Sequence, residues 1–333
     1  MRTYYITGIS GFLGQTVLKE ISKEKDYKVF GLVLENDKYI PDLVKQGVNI
    51  IYGNILNKDD VDNFLSQKGE GERIILHIAG RISTVKRGDK LTTLINVDGT
   101  KNIVDAANKY KHDKLIYVAS TDALDPKKYG ELVSEQDRFN LEKVKGVYAE
   151  SKVIAGNYVL DNATVKTVII CPSAIYGPDD KFNSPINTAI NMFIKGKMPG
   201  YVKGGYDIVD VRDVARAMYQ LIDKGKDKNM YIVSGHHVSV KNLFATCGKV
   251  INKKPPRLKI LTPLVYIASP FIELWAKMRH KKPLFSSFSM YCLSLSSNFS
   301  KDKIKEAINY QPTELETSIK DTIMFYKKEA VSD

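Results

Sequence analysis

Short apolar runs and amphipathic stretches alternate along the first half of the chain. A period close to 3.6 residues predicts helices over Phe12 to about Ser22, Leu91–Tyr110 and Val147–Leu160. The apolar runs predict strands over Thr3–Thr7, Lys28–Leu34, Asn49–Tyr52, Arg73–Ile78, Lys114–Ala119 and Lys166–Ile170. Strands that alternate with helices are typical of βαβ units, so the pattern predicts an α/β protein with a parallel sheet.

A glycine-rich turn links the first predicted strand to the first predicted helix, with the sequence Thr7-Gly8-Ile9-Ser10-Gly11-Phe12-Leu13-Gly14. Gly8 permits a tight turn, Gly11 leaves room for a phosphate beside the backbone, and Gly14 lets the helix pack close to the sheet. Free N–H groups and the helix dipole at this point favour an anion. Because the turn opens the first strand–helix unit, it predicts a pyrophosphate-binding loop for a dinucleotide.

The regular alternation ends at Pro172, and the apolar run Met230–Ser234 is then expected to rejoin the main sheet. A chain of 333 residues also exceeds what one hydrophobic core usually supports. These features predict a Rossmann-type, doubly wound parallel sheet with a smaller, mainly C-terminal substrate lobe. We expect the dinucleotide-binding lobe to comprise residues 1–171 plus about 205–238, and the substrate lobe about 172–204 plus 239–333.

Cofactor choice depends on the end of the second predicted strand, roughly 20 residues after the glycines, where an acidic group would bind the ribose 2′-OH. Glu35 is the candidate there, because its carboxylate would repel a 2′-phosphate. Lys38 lies close by and would act in the opposite sense. The sequence therefore indicates NAD or NADP as cofactor and favours NAD.

Tyr148 and Lys152 are four residues apart in a predicted helix, so their side chains project from one face. A lysine ammonium near a phenol stabilises the phenolate, which makes Tyr148 a candidate general acid and base. Ser120 ends the preceding strand at the edge where doubly wound sheets bind ligands, and its hydroxyl can orient a substrate carbonyl. Ser120, Tyr148 and Lys152 are therefore predicted to be catalytic.

Seven motifs occur along the chain in an order that resembles the extended short-chain dehydrogenases/reductases, the superfamily of the NAD-dependent epimerases and dehydratases. They are TGISGFLG, LHIAG (76–80), NVDGTKNIVDAA (96–107), VAS (118–120), YAESK (148–152), CPSAIYGP (171–178) and DIVDVRDVARA (207–217). Within that superfamily, residues 196–215 and the INYQP ending (308–312) are similar to the group of 3-beta-hydroxysteroid dehydrogenases, dihydroflavonol reductases and hopanoid-associated epimerase-like proteins.

The resemblance implies an enzyme that uses a nicotinamide dinucleotide, with Ser120, Tyr148 and Lys152 as catalytic residues. It also implies that Asn96 contributes to a proton relay or to the helix geometry. The implied cofactor-binding residues are Gly8, Gly11, Phe12, Leu13, Gly14, Asn54, Ile55, Ala79, Gly80, Tyr148, Lys152, Pro172, Ser173 and Ile175. The chain departs from the family at Leu34, where many relatives carry Asp or Arg, at Asn54 in place of Asp, and at Cys171 in place of Arg.

The amino-acid composition restricts the classes of binding partner that we expect. The formal net charge of +12 is interpreted as lysines scattered along the chain, without an arginine-rich helix or an aromatic–basic repeat, which favours a solubilising surface over nucleic-acid binding. Cys171, Cys247 and Cys292 lie far apart and indicate neither a disulfide framework nor a metal site. The N-terminal sequence lacks the apolar stretch of a signal peptide, so we expect a cytoplasmic protein, and a homodimer is left open.

Two substrate classes compete on this fold, and both are small molecules. One is an apolar, steroid-, flavonoid- or lipid-like alcohol or ketone; the other is a nucleotide-linked sugar, whose diphosphate needs a basic clamp. Lysines 181, 195, 197 and 203 lie in the appropriate region, but no arginine clamp is evident. A third alternative, a non-catalytic dinucleotide sensor, would have no need of a Ser–Tyr–Lys set.

Residues 258–295 are rich in Leu, Ile, Phe, Tyr and Met, and they are predicted to form a mobile cover over an apolar substrate site. Two prolines and Glu273 interrupt their longest apolar stretch, Ile260–Trp275, which makes a membrane span unfavourable. An amphipathic helix with Phe271 and Trp275 on one side and Lys277, Arg279 and Lys281 nearby would also allow peripheral contact with an anionic membrane. The alternative is that these side chains are packed core.

Overall fold

The structure is a computed structural model of the chain. It describes residues 1–83, 86–128, 130–261, 263–265, 267, 287–295 and 297–332. Among these residues, no helix is both long and apolar enough to cross a membrane. Residues 258–295, which are predicted to form a cover, lie only partly within the described residues. Phe271, Trp275 and the basic residues beside them lie outside the described residues.

Fourteen strands and twelve α-helices occur within the described residues. The strands are β1 (Arg2–Thr7), β2 (Tyr27–Val33), β3 (Asn49–Tyr52), β4 (Glu72–His77), β5 (Lys114–Val118), β6 (Leu132–Val133), β7 (Lys166–Pro172), β8 (Ala174–Tyr176), β9 (Tyr201–Val202), β10 (Gly205–Asp210), β11 (Asn229–Val233), β12 (His236–Ser239), β13 (Lys259–Ile260) and β14 (Asn298–Phe299). The helices are α1 (Phe12–Ile21), α2 (Ile40–Lys45), α3 (Lys58–Leu65), α4 (Lys90–Thr93), α5 (Gly99–Lys109), α6 (Val147–Asn162), α7 (Pro185–Ile194), α8 (Val211–Lys224), α9 (Val240–Ile251), α10 (Ser287–Ser294), α11 (Asp302–Ile308) and α12 (Leu315–Ser332).

Seven parallel strands form the main sheet in the order β11-β7-β5-β4-β1-β2-β3. The chain winds outward from β1 through β2 and β3, and then returns to continue from β4 on the other side. This reversal puts a crevice at the carboxyl ends of β1 and β4, where doubly wound folds bind ligands. The predicted Rossmann-type sheet is confirmed, and so is the return of Met230–Ser234, which contributes β11 beside β7.

Both faces of the main sheet are buried. Along β1, Tyr4 and Ile6 pack with α1 and α8 on one face, while Tyr5 packs with α3 and α5 on the other. Burial on two faces explains why these strands read as continuous apolar runs instead of alternating ones. The two layers of helices hold the strand ends, and therefore the crevice, in place.

A second, three-stranded sheet has the order β12-β10-β8, and α7, α9 and α12 pack around it in a separate hydrophobic cluster. Its strand β8 begins two residues after β7 of the main sheet ends, so the two sheets share a short connection near the crevice. The division into a cofactor lobe and a substrate lobe stays a prediction.

The helix predicted over Leu91–Tyr110 differs from the one observed. A π-helical turn, Leu94–Asp98, separates α4 from α5. The apolar positions continue through this turn, so periodicity alone does not reveal it. Such turns occur mostly where a side chain has a special task, and this one contains Asn96.

Candidate functional site

The three glycines of the first turn make a tight passage from β1 into α1. Gly8 has a φ of +70°, and a Cβ there would lie 2.7 Å from the Ala79 nitrogen. A Cβ on Gly14 would lie 2.2 Å from the Gly8 carbonyl oxygen. In contrast, a Cβ on Gly11 would meet the Gly8 oxygen alone within 4 Å, at 3.2 Å. Packing therefore requires glycine at positions 8 and 14, while the space beside Gly11 is open.

The first turn of α1 faces that open space. Gly11 is the N-cap, and no side chain caps the helix or adds a negative charge to its first turn. Phe12 is half-buried and Leu13 is buried. The first backbone N–H groups of the helix have no partner within the helix and remain available. A backbone cradle with the positive end of a helix dipole fits the pyrophosphate of a dinucleotide.

Two further segments lie at the same edge of the sheet, after the neighbouring strands β2 and β3. Glu35 is exposed in the turn that follows β2, and Leu34 beside it is 52% exposed. Asn54 is also exposed, and its side-chain oxygen accepts a hydrogen bond from the Leu56 amide at 3.0 Å. Ile55 packs against Gly99, where a Cβ would lie 2.6 Å from its Cδ1. Contact of Glu35, Asn54 or Ile55 with a cofactor stays a prediction.

Ala79 and Gly80 follow β4, across the crevice from the glycine turn. The Ala79 amide donates a hydrogen bond to the Thr7 hydroxyl at 3.2 Å, which ties the two strand ends together. A Cβ on Gly80 would lie 3.2 Å from Lys152 Nζ and 3.4 Å from Asn96 Oδ1. The segment predicted to run along the cofactor thus borders two of the predicted catalytic residues.

Ser120 and Tyr148 come together at the end of β5. Ser120 is buried and its hydroxyl accepts a hydrogen bond from the Asp122 amide at 3.1 Å, which caps a 3₁₀ turn, Thr121–Ala123. Tyr148 lies half-buried in the first turn of α6. Burial raises the pKa of Tyr148, the negative charge of Asp122 raises it further, and the nearby Ser120 hydroxyl opposes both by stabilising the phenolate. Tyr148 is therefore a phenol at neutral pH.

Lys152 lies one turn further along α6 and is almost entirely buried. Its ammonium donates a hydrogen bond to the Val118 carbonyl at 2.7 Å and lies 5.2 Å from the centre of the Tyr117 ring. Burial lowers the pKa of Lys152 to about 8. An ammonium has three N–H groups, so the bond to Val118 leaves two for other acceptors, and Gly80 lies beside them.

Asn96 uses its side chain to join three backbone segments. Its oxygen accepts from the Arg81 amide at 2.8 Å, and its nitrogen donates to the Arg81 carbonyl at 3.0 Å and to the Ser151 hydroxyl at 2.9 Å. Ser151 in turn donates to the Tyr148 carbonyl at 2.7 Å. These bonds fix the start of α6 relative to the segment after β4, which fits the helix-geometry role of Asn96 that the sequence suggested.

Asp122 is a candidate site residue that the sequence did not single out. Solvent reaches its side chain, yet enough protein surrounds the carboxyl to raise its pKa, which the Ser120 hydroxyl partly offsets. Its charge acts on Tyr148, and also on Tyr206 of β10 and Cys292 of α10. The signal available in the sequence was an acid two residues after the strand-ending serine. An acid in a loop is too common to be singled out without the three-dimensional contacts.

Pro172, Ser173 and Ile175 lie where β7 passes into β8. Pro172 is paired with Val233 of β11, and Ile175 is half-buried against the main core. Ser173 is buried, and its amide donates to the Val233 carbonyl at 3.1 Å. Cys171 before them is fully buried, and burial raises the pKa of its thiol to about 12, so it is a core residue.

Comparison with known proteins agrees with this geometry. Residues 4–234 match the model of the NAD dependent epimerase/dehydratase family. A Synechocystis protein provisionally described as a dihydroflavonol 4-reductase is 28% identical over 76% of this chain and 74% of its own length. The sterol-4-alpha-carboxylate 3-dehydrogenase erg26 of Schizosaccharomyces pombe is 21% identical over 96% of both chains.

The solved structure of gox2253 superimposes with a TM-score of 0.82, at 25% identity over 98% of both chains. A family match that covers more than half of the chain identifies the class of enzyme. The chain belongs to the NAD dependent epimerase/dehydratase family and is a nicotinamide-dinucleotide-dependent oxidoreductase of the extended short-chain dehydrogenase/reductase type.

Proposed function

We propose that the enzyme interconverts a secondary alcohol and a ketone on an apolar, steroid-, flavonoid- or lipid-like substrate, with Tyr148 as the general acid and base. The observation that carries the proposal is the convergence of Ser120, Tyr148 and the buried Lys152 at the strand ends beside the glycine turn. The nicotinamide ring of the bound cofactor would supply or accept the hydride. The protein's own task is to hold the substrate oxygen and to move one proton.

In the direction of ketone reduction, Tyr148 is protonated at neutral pH and can donate its proton to the carbonyl oxygen. Ser120 would share the hydrogen bonds to that oxygen and stabilise its developing negative charge. Lys152, whose ammonium lies beside Gly80, would hold the cofactor ribose, and its positive charge would favour the phenolate left on Tyr148. In alcohol oxidation the same proton moves in the opposite direction.

The apolar substrate class is supported by what surrounds Asp122. The ring of Tyr206 and the thiol of Cys292 lie within reach of its charge, and behind them Met290 and Leu293 are buried with Val202 in a small apolar cluster. By their names, one relative acts on a dihydroflavonol and another on a sterol carboxylate, and both of these substrates have apolar ring systems. This part of the site favours a substrate with an apolar body.

A nucleotide-sugar epimerase or dehydratase with tightly bound NAD is the second candidate, in keeping with the name of the family. Its diphosphate clamp would have to come from Lys181, Lys195, Lys197 or Lys203. Lys181, Lys195 and Lys38 line a surface pocket of about 510 Å³, and so do the acids Asp42, Asp180 and Glu329. Neither Ser120 nor Tyr148 lines that pocket, and its three acids offset the charge of its three lysines. A dinucleotide sensor would make no use of Tyr148.

The experiment that tests the proposal is a turnover assay across three substrate sets: hydroxysteroids with their ketones, simple aliphatic ketones, and UDP-glucose, each with NAD(H) and with NADP(H). We expect turnover with the apolar ketones, measured as a change in cofactor absorbance. If Glu35 binds the ribose, NAD should bind more tightly than NADP. Epimerised UDP-glucose without turnover of the apolar set would transfer the proposal to the second candidate. A clear preference for NADP would overturn the role of Glu35.

A pH dependence follows from the contact between Asp122 and Tyr148. Replacing Asp122 with Asn removes a negative charge that raises the pKa of Tyr148, so the phenolate needed for alcohol oxidation forms at lower pH. We expect the acidic limb of the kcat/KM profile for oxidation to move to lower pH in Asp122→Asn. Asp125→Asn is the control, because Asp125 lies in the same loop without contributing to that shift. An unchanged profile, or one moved to higher pH, would refute this role of Asp122.

The proposal includes a cytoplasmic location and a substrate lobe distinct from the cofactor lobe. It also includes assembly as a homodimer, which size-exclusion chromatography will test. It also includes the peripheral membrane contact predicted for residues 258–295. Within that stretch the structure describes residues 258–261, 263–265, 267 and 287–295.

A further inference from the structure

The net positive charge of the protein arises in one part of the chain, because acidic residues are scarce there. Residues 228–301 contain 12 of the 50 lysines and arginines but a single one of the 38 aspartates and glutamates, Glu273. This segment therefore has a formal net charge of +11, while the whole chain has +12. The basic residues are indeed scattered along the chain, but the acidic residues are not, so the remainder of the protein is almost neutral.

Exposed aliphatic side chains lie within the same segment. Leu258, Leu261, Leu264 and Ile267 are 62%, 55%, 56% and 69% exposed, and they follow each other at intervals of three residues. Single exposed leucines are ordinary on a protein surface. Four within ten residues concentrate exposed apolar area in one short stretch, which we call the patch. Exposed apolar area of this kind marks contact sites for proteins or membranes.

The backbone beneath this patch is anchored to the rest of the protein. The Tyr201 amide donates to the Leu258 carbonyl at 3.0 Å, and β13 pairs with β9 directly afterwards. Val265 is buried in the same small cluster as Val202 and Leu293. Because Val265 points inward, its neighbours Leu264 and Ile267 are held outward. The exposure of the patch therefore follows from the packing of the backbone beneath it.

Basic side chains flank the leucines. Lys254, Arg257 and Lys259 are exposed, and none of them forms an ion pair with another described residue. Arg257 and Lys259 are the immediate neighbours of Leu258 in the chain, and all three side chains are exposed, so cationic and aliphatic groups lie close together on the surface. We refer to Arg257, Leu258, Lys259, Leu261, Leu264 and Ile267 as the basic–leucine surface.

We propose that the basic–leucine surface docks the enzyme on an anionic lipid bilayer. Aliphatic side chains that enter the interfacial region and lysines or arginines that meet anionic headgroups are the two components of peripheral membrane binding. Contact between two copies of this surface would bring like charges together. A nucleic acid would make no use of the leucines. The inference does not depend on the identity of the substrate, although a bilayer would also be a source of an apolar one.

The test is co-sedimentation of the full chain with vesicles of phosphatidylcholine alone, or with 30% phosphatidylserine, at low and high salt. We expect binding to the anionic vesicles that weakens at least tenfold at high salt and for phosphatidylcholine alone. The variant Arg257→Glu/Lys259→Glu should lose that binding, and Leu261→Ser/Leu264→Ser should weaken it at every salt concentration. Both variants should retain the thermal midpoint and the cofactor affinity of the parent, because the glycine turn lies elsewhere in the fold.

Matched control variants alter the same chemistry at other places on the surface. Lys45→Glu/Lys58→Glu makes the same change in net charge, and Val44→Ser/Leu141→Ser removes two aliphatic side chains of comparable exposure. Both controls should bind vesicles like the parent. Equal loss in the controls, or retention of binding in the Arg257 and Leu261 variants, would overturn the proposal. An absence of vesicle binding would also overturn the proposal. If Leu261→Ser/Leu264→Ser then converted a dimer to a monomer in solution, the surface would be a contact between two copies of the chain.

Discussion

Replacing Tyr148 with phenylalanine is expected to lower turnover by about 100- to 10,000-fold while leaving cofactor affinity close to that of the parent. The substitution removes one hydroxyl from a half-buried ring. That hydroxyl lies beside Ser120 and under the influence of Asp122, and it is the group that would donate the proton to a ketone oxygen. The ring itself stays, so the start of α6 keeps its packing and Lys152 keeps its position.

The structure offers a closely matched control in the same helix. Tyr158 carries a hydroxyl that donates to Asp105 at 2.7 Å on the outer side of α6. Tyr158→Phe makes the identical chemical change ten residues away and should retain full turnover. Steady-state rates in both directions and a fluorescence titration with reduced cofactor give the two quantities needed. Near-normal turnover in Tyr148→Phe would mean that the proton comes from another group, and the proposed mechanism would have to be abandoned.

Much of the main sheet could be predicted from the sequence, because its strands are buried on both faces and appear as apolar runs between helices. The short strands could not. β9, β13 and β14 have two residues each, too few to show any period, and they form through partners that are distant in the chain. The π-helical turn at Asn96 was also hidden, since its apolar spacing resembles that of an ordinary helix.

The site residues could be predicted where their spacing in the sequence indicates a function. They could not be predicted where the function depends on contacts between residues distant in the chain. The glycines can be recognised from their spacing in a turn. Tyr148 and Lys152 can be recognised from their spacing on a helix. Asp122 gains its meaning from the burial around it and from its neighbours Tyr206 and Cys292, which are 84 and 170 residues further along the chain. The segregation of charge into residues 228–301 was visible in the sequence, but it becomes informative with the exposed leucines that accompany it.

The glycine turn allows a test in which folding and cofactor binding respond in different ways. Gly11→Asp is expected to weaken binding of the nicotinamide dinucleotide at least 100-fold, because a carboxylate would then occupy the space beside the helix start and repel the pyrophosphate. The fold should tolerate the change. Gly11 has a φ of −75°, which any residue adopts, and its Cβ would meet the Gly8 oxygen at 3.2 Å, a contact relieved by a small shift.

The free protein has a further reason to tolerate this variant. Gly11 is the N-cap of α1 and no side chain caps the helix there, so an aspartate would supply a hydrogen-bond acceptor and a favourable charge to the first turn. The thermal midpoint of the cofactor-free variant should therefore stay within a few degrees of the parent or rise. Gly14→Ala provides the opposite case, because its Cβ would lie 2.2 Å from the Gly8 oxygen and 2.7 Å from Ile9 Cα. Overpacking against backbone typically costs about 1–3 kcal/mol or more, so this variant should unfold at a lower temperature.

Calorimetric titration with NAD and NADH, together with thermal unfolding of each cofactor-free variant, separates the two effects. Gly11→Ala belongs in the same series: it adds the Cβ without the charge and should weaken binding less than Gly11→Asp does. The difference between those two variants measures the repulsion between the carboxylate and the pyrophosphate. A folded Gly11→Asp protein with unchanged affinity for the dinucleotide would place the cofactor elsewhere and remove the glycine turn from the site.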